Sequence, residues 1–344
     1  MDKAIGALRS ALTRVPFLEI LEVETPAEKE SLSPDILVRL SLPNREKLVV
    51  VEMKTSGQPR LARAAANQLL RYRETFPDAY GIFLAPYISS QAGEICLQAG
   101  IGYLDLAGNC SLCFDGVYIE RGGYPNIFSK KRDLRSLYSP KAERVLRVLL
   151  NSPGTSWRVK RLAEEAQVSL GQVSNVKKLL ADREWIQVDK TGFVISEQVK
   201  LLKEWEGSYS FRRNQVLDLY SIKHPAQFEA DLADYCKKRS LKYALTGFSG
   251  AARLAPAVRY PKAMAYVEVL DEAMVAELNL KEVNSGANVS LFLPYDVGVF
   301  YGASEINGTQ VASPVQVYLD IVGFRGRGEE AAQALLDQVI RPKW

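Results

Sequence analysis

The sequence predicts a multidomain chain of mixed α/β and α+β class, and three observations carry that expectation. Helix-period and strand-period hydropathy alternate through residues 1–125. Three helical patterns and then a hairpin fill 130–205. A Gly/Ala-rich mixture of helices and strands occupies 206–344. Two seams separate these three domains: GGYPNIFSKKRDLRSLYSP (122–140), rich in Gly, Pro and charge, and a broken helical pattern between Glu204 and Asn214.

In the first domain an amphipathic helix runs from Lys3 to Arg14. Two strands follow, ILVRLSL (36–42) and KLVVVEM (47–53), reversed through Pro43 and Asn44. Pro59 suits the first turn of the next helix, where its missing N–H has no partner to lose. That helix continues through LARAAANQLLRYRET. Then come a continuous apolar strand YGIFLAP (80–86), a helix SQAGEICLQAG (90–100) and the short strands IGYLDLAG (101–108) and CSLCFDGVYIER (110–121). A mixed sheet with helices on both faces accommodates this order.

The second domain reads as helices KAERVLRVLLNS, WRVKRLAEEAQ and GQVSNVKKLLADREW, with a turn at VSLG before the third. The hairpin IQVDKTGFVIS turns at Lys190-Thr191-Gly192. Helix, turn, second helix and hairpin make a winged helix-turn-helix. Trp157, Val159, Leu162, Ala163, Val168, Val176, Leu179 and Leu180 fit its core.

The third domain offers a helix QFEADLADYCKKRS, the strands KYALTG, AMAYVEVL and VSLFLPY, and a last helix EEAAQALLDQVI. Ser313-Pro314-Val315-Gln316 predicts a helix start, with Ser313 as N-cap and Gln316 reaching back as in a capping box. Ser285-Gly286-Ala287 predicts a hairpin turn. GFSGAARL is either a tight packing turn or a set of backbone N–H groups for a phosphate; it lacks the lysine of a P-loop.

The chain has 344 residues, 47% of them hydrophobic and 24% charged, which argues against a wholly disordered chain. No apolar run reaches the roughly 18 residues of a membrane span. The opening MDKAIGALRSALTR has charges within its apolar run and is not read as a signal peptide, so a cytoplasmic protein with no membrane partner is expected. Four cysteines do not make a disulfide scaffold. Cys110 and Cys113 read as packed strand cysteines, because zinc wants about four ligands and His224 is the single histidine. One histidine also argues against Ser-His-Asp and Cys-His catalysis. The net charge is +4, but residues 130–203 hold sixteen Lys/Arg against eight Asp/Glu, so the rest of the chain is acidic. A basic middle module suits a polyanionic partner.

The sharpest chemical signal lies in the first domain. Asp35 follows Pro34 at a strand start, and Glu52 and Lys54 lie two apart on the next strand, on one face. A reversal near residues 43–46 brings Asp35 opposite Glu52 within a residue or two. Two carboxylates suit Mg²⁺ or Mn²⁺, whose remaining ligands are water and phosphate oxygens. A nearby lysine can orient a water or stabilise developing charge. Gln68 and Tyr72, four apart on the following helix, share a face and extend the set.

The order Pro34-Asp35, Glu52-Met53-Lys54, Gln68-x-x-x-Tyr72 resembles the PD-(D/E)xK nuclease superfamily, with the Gln-x-x-x-Tyr addition of its exonuclease-like branch. The resemblance covers about the first hundred residues. It implies a restriction-endonuclease-like αβββαβ core, metal binding by Asp35 and Glu52, and assistance by Lys54.

On the winged helix, the recognition helix is expected to present Gln172, Ser174, Asn175, Lys177 and Lys178 to double-stranded DNA. Amides can pair with adenine edges, and lysines with phosphates or guanine. Lys190, Arg158 and Lys160 are placed to hold the backbone. Finally, YALTGFSGAARL (243–254) and SPVQVYLDIVGFRGRGEEAAQALL (313–336) resemble AbiEi-type regulators, the antitoxins of type IV toxin-antitoxin systems. That resemblance implies a DNA-binding regulator in phage defence with a toxin partner; a homodimer is a further expectation for the chain. The nuclease-like front supports the alternative, a Mg²⁺-dependent deoxyribonuclease targeted to DNA by its winged helix.

Overall fold

The computed structural model describes residues 1–26, 33–128, 137–257 and 259–344. Lys130, Lys131, Arg132 and Arg135 of the basic seam lie outside them. The chain divides into two compact units, Met1–Asp133 with Leu179–Glu184, and Leu134–Lys178 with Trp185–Trp344. Both are mixed α/β. No helix among the described residues is long and apolar enough to cross a membrane.

The first unit is built on one sheet whose strands lie in chain order. They are β1 (Glu19–Glu24), β2 (Ile36–Leu42), β3 (Arg45–Met53), β4 (Tyr80–Ala85), β5 (Gly102–Asp105), β6 (Cys110–Phe114) and β7 (Val117–Arg121). Pairing is antiparallel from β1 to β3, parallel from β3 to β5, and antiparallel again to β7. The parallel steps are the ones that contain α2 (Pro59–Thr75) and α3 (Ser90–Gln98), as crossover geometry requires.

β3 serves two cores by simple alternation. Val49 and Val51 join the cluster formed with α1 (Asp2–Leu12), while Val50 joins Ala62, Ala65, Leu69 and Tyr72 of α2. Gly81 on β4 lets α2 lie close, because a Cβ there would stand 3.2 Å from Leu69 Cβ. Glu52 shares the parity of Val50 and so faces α2. Strand β1 was not legible: its EILEVE pattern carries three glutamates and buries no residue fully. Of the two strand cysteines, Cys110 is buried as expected but Cys113 is exposed, since an odd spacing puts them on opposite faces.

In the second unit α4 (Pro140–Asn151), α5 (Val159–Glu165) and α6 (Leu170–Asp182) precede the hairpin β8 (Ile186–Val188) and β9 (Phe193–Ile195). Leu179–Glu184, the end of α6 and the residues after it, group with the first unit. Trp157, Leu162, Ala163, Val176 and Leu180 are buried as expected. Val159, Val168 and Leu179 are only half-buried, and Val173 takes a core place that the sequence reading did not assign.

After α7 (Gln198–Ser208) and a 3₁₀ turn at Phe211–Arg213 comes a second sheet, ordered β13-β10-β14-β12-β11-β16-β15. Its strands are β10 (Gln215–Tyr220), β11 (Tyr243–Leu245), β12 (Ala263–Val267), β13 (Lys281–Glu282), β14 (Val289–Leu293), β15 (Ser304–Ile306) and β16 (Thr309–Val311). α8 (Pro225–Arg239), α9 (Gly247–Leu254), α10 (Glu272–Glu277), α11 (Pro314–Ile321) and α12 (Arg327–Leu335) complete it. Ser285-Gly286-Ala287 is not a hairpin turn. The strands it joins, β13 and β14, lie on opposite sides of β10. GFSGAARL forms α9 as a packing element: a Cβ on Gly250 would meet Val317 Cγ2 at 2.8 Å, and the Ser249 hydroxyl is buried against the Met264 amide.

Ser313 caps α11 as expected, accepting from the Gln316 amide at 3.3 Å. The Gln316 side chain does not return to the cap, because it is buried in a polar network. Its Oε1 accepts from Arg147 Nε of α4 at 2.9 Å, and its Nε2 donates to Tyr209, Tyr266 and Asp320. Asp320, fully buried, also accepts from Thr246 at 2.5 Å, Tyr209 at 2.6 Å and Tyr266 at 2.9 Å. Elsewhere on α4, Glu143 accepts from Arg213 at 2.5 Å and from Tyr295, and Arg144 grips Asp296 through two bonds. The Arg147 guanidinium lies 5.2 Å from the Trp205 ring centre.

Candidate functional site

The β2–β3 register is fixed by the Pro43-Asn44 reversal and pairs Ile36 with Val51. Asp35 comes one step earlier, its amide bonded to the Val51 carbonyl at 3.1 Å. Its Oδ2 accepts from the Met53 amide at 2.7 Å, which pins the carboxylate at the end of β3. There Glu52 and Lys54 meet, with Lys54 Nζ donating to Glu52 Oε1 at 2.5 Å. The helix α2 supplies the rest. Lys54 Nζ also reaches Gln68 Oε1 at 3.3 Å, and Gln68 Nε2 donates to the Tyr72 hydroxyl at 2.6 Å. That hydroxyl has one proton and two acceptors to choose from, the Ser33 carbonyl at 2.9 Å and Glu52 Oε2 at 3.2 Å. All five residues singled out by spacing therefore lie at one end of β3, four of them in a continuous hydrogen-bond chain.

Glu52 is 3% exposed. Burial raises its pKa above the ordinary value, the Lys54 contact pulls it back, and the nearby Asp35 charge pushes it up again. Burial also lifts the Tyr72 phenol to about 12, with Glu52 and Asp35 adding to the effect against the Gln68 bond. A cation beside this pair would offset the charge that Asp35 sets against Glu52. Among the described residues no group of three or more His, Cys, Asp or Glu side chains could hold a metal. A pair of carboxylates still fits Mg²⁺, which keeps several waters and uses substrate phosphate to complete its octahedron.

A pH prediction follows from Glu52. A carboxyl whose folded pKa is raised contributes stability that is present below its unfolded value near 4.5 and is lost as pH rises through the folded value. Glu52→Gln is therefore expected to be at least as stable as the native chain at pH 7 without divalent metal. That advantage should vanish in acid. Thermal unfolding across pH 4–8 checks it, and a Gln variant less stable at pH 7 than at pH 4, relative to native, would contradict it.

On the helical and hairpin segment, Ser174, Asn175 and Lys178 are exposed on α6, and Lys190, Arg158 and Lys160 are exposed beside it. Gln172 is half-buried, its amide capped by Ser169 Oγ at 3.2 Å. Lys177 is half-buried too, with its ammonium 5.2 Å from the Phe193 ring centre. Arg158 Nε donates to the Thr191 carbonyl at 3.1 Å, so it braces the hairpin tip as well as facing solvent. Asp189 accepts from the Thr191 hydroxyl and from the Thr191 and Gly192 amides, bonds that lower its pKa and fix the turn carrying Lys190. Gly192 is needed there, since a Cβ would stand 2.4 Å from the Trp157 carbonyl oxygen.

Sequence reasoning missed Asp105, fully buried at the end of β5. It accepts from the amides of Ile88, Gly108 and Asn109 and from the Asn109 side chain, at 2.8–3.2 Å. These bonds saturate the carboxylate and make it a loop anchor. The Asp-Leu-Ala-Gly-Asn run was the available signal, since Asp followed by Gly and Asn favours such turns.

Residues 194–341 match the family model described as AbiEi_2: transcriptional regulator, AbiEi antitoxin, type IV TA system. No curated protein matches the chain. A solved structure described as "Structure of EndoMS in apo form" aligns over 30% of this chain and 45% of its own length, at 19% identity and a TM-score of 0.23. This chain thus spans less than half of that one.

Proposed function

We propose that the chain is a DNA-binding regulator of antitoxin type, organised as the three domains 1–125, 130–205 and 206–344. The match of residues 194–341 to the AbiEi antitoxin family is the observation that carries this reading. The exposed Ser174, Asn175 and Lys178 on α6, followed by a hairpin that lifts Lys190, support a winged helix-turn-helix reading duplex DNA. A toxin partner and a second copy of the chain complete the proposal.

The test is duplex titration at several salt concentrations. Lys178→Ala is expected to weaken specific and random DNA alike and to flatten the salt dependence by about one unit of slope. Asn175→Ala should cost about 1–3 kcal/mol on the preferred site and little on random duplex. Lys177→Ala should also loosen the hairpin, because it removes the contact with Phe193. Binding that none of these variants alters would remove α6 as the reader.

The second reading, a Mg²⁺- or Mn²⁺-dependent deoxyribonuclease with a restriction-endonuclease-like front, is favoured by the chain from Lys54 through Glu52, Gln68 and Tyr72 beside Asp35. Asp35 and Glu52 would hold the ion, which when bound supplies Lewis acidity and charge neutralisation at a phosphodiester. Gln68 holds the Lys54 ammonium in place, and Lys54 can donate to a water or a phosphate oxygen. Tyr72 orients the Glu52 carboxylate.

A further inference from the structure

The second sheet carries a cavity on one face. Strand register pairs Val216 with Phe292 and Asp218 with Ser290 across β10 and β14. It pairs Ser290 with Met264 across β14 and β12. Directly paired residues share a face, so these side chains floor the cavity from three adjacent strands. Phe211 of the 3₁₀ turn, Phe248 of α9 and Phe324 beyond α11 stand around them. The space is about 700 Å³, within the roughly 300–1,000 Å³ of small-molecule sites.

The floor has an apolar end and a polar end. At the first, the Phe211 ring centre lies 5.9 Å from that of Phe292 and 4.8 Å from that of Phe324, which lies 5.5 Å from that of Phe248. At the second, Asp218 Oδ1 accepts from Lys262 Nζ at 2.6 Å and from the Ser290 hydroxyl at 2.5 Å. Burial works to raise the Asp218 pKa, but these bonds outweigh it and the pKa is lowered, so the carboxylate is ionised. Lys262 and Asp218 therefore balance one another in charge. What they leave over is hydrogen-bonding capacity: Asp218 Oδ2 accepts from nothing among the described residues, and the Lys262 ammonium has further N–H groups. Arg212 lines the cavity from the 3₁₀ turn that precedes β10, away from the Asp218 end. It is exposed and makes no ion pair among the described residues.

We infer that this cavity binds a mononucleotide. Its base lies against the phenylalanine wall, because every base presents a π-face to an aromatic ring. The hydrogen-bonding edge of the base, where an N–H donor stands beside an acceptor, meets Asp218 Oδ2 and Lys262 Nζ. That edge is neutral, which suits the balanced pair, whereas a charged group would compete for one member of it. A base carries its sugar opposite this edge, and that directs the phosphate toward Arg212. All these groups lie in residues 211–324, so the inference stands apart from the metal site and from the DNA-reading residues.

The experiment labels the methionine methyl groups of the full chain with ¹³C and titrates it with the four ribonucleoside monophosphates, followed by NMR. Met264 lines the cavity, and Met53 ends β3 in the first unit. At least one nucleotide should move the Met264 methyl saturably at millimolar concentration or below and leave Met53 in place. Asp218→Ala and Phe248→Ala, each checked for native thermal unfolding, should weaken it about tenfold or more. The N-methylated form of the same base, its edge blocked, should bind as weakly. Arg212→Ala should weaken the monophosphate and leave the free nucleoside unchanged. The inference is overturned if no monophosphate moves Met264, or if inorganic phosphate alone moves it equally. It is also overturned if Asp218→Ala and the blocked base both bind like the native pair.

Discussion

On the nuclease reading, Lys54→Ala and Asp35→Ala are each expected to reduce Mg²⁺-dependent cleavage of linear duplex DNA by about 10²–10³-fold, the usual loss when one preorganised electrostatic group is removed. Lys54 contacts both Glu52 and Gln68, so its loss removes a positive charge and frees two side chains at once. Folding should survive, because Glu52 already has a raised pKa and can take up a proton when the ammonium is gone. Gel assays with Mg²⁺ and Mn²⁺, run beside thermal unfolding, give the readout. Unchanged cleavage by Lys54→Ala would place the activity elsewhere. A native chain that cuts nothing under either metal would end the nuclease reading and leave the regulator.

The largest stability effect is expected at Asp320→Ala. Four donors, from Thr246, Tyr209, Tyr266 and Gln316, converge on this buried carboxylate. Alanine leaves them facing a void, and each unsatisfied buried donor costs about 1–3 kcal/mol. Because some will re-pair among themselves, a net loss of about 3–5 kcal/mol is the expectation, comparable to breaking a buried pair. Urea unfolding measures it, and a loss below about 1 kcal/mol would show that the donors find water or one another freely. Burial also raises the Asp320 pKa, so native stability from this group is present in acid and declines as pH rises through the folded value.

Where local pattern and tertiary role agree, the sequence was a good guide. The alternation of β2 and β3, the Pro43-Asn44 reversal and the spacing of Glu52, Lys54, Gln68 and Tyr72 all encode their own placement. Each depends only on strand parity or helix period. Strand β1 failed that test because three glutamates mask a backbone that pairs along its length with β2. Glu143 and Arg147 are charged positions on an amphipathic helix, yet both are fully buried, because partners come from residues far along the chain. Gln316 failed for the same reason: a local capping rule lost to Arg147 and Asp320. Asp105 was missed because a loop anchor announces itself only through amides gathered by folding.

Helix α4 opens the helical and hairpin module, yet its charged side chains are completed by Arg213, Asp296 and Gln316. That module is not a transplantable cassette. Excised near Ser208, it would leave Glu143 and Arg147 without the groups that balance them. A recombination event that exchanged that module alone would import the same mismatch. Under the proposed DNA-reading role, that module and the C-terminal sheet would be inherited together, and a change of DNA specificity would arise by substitution on the surface of α6 rather than by exchange of the whole module.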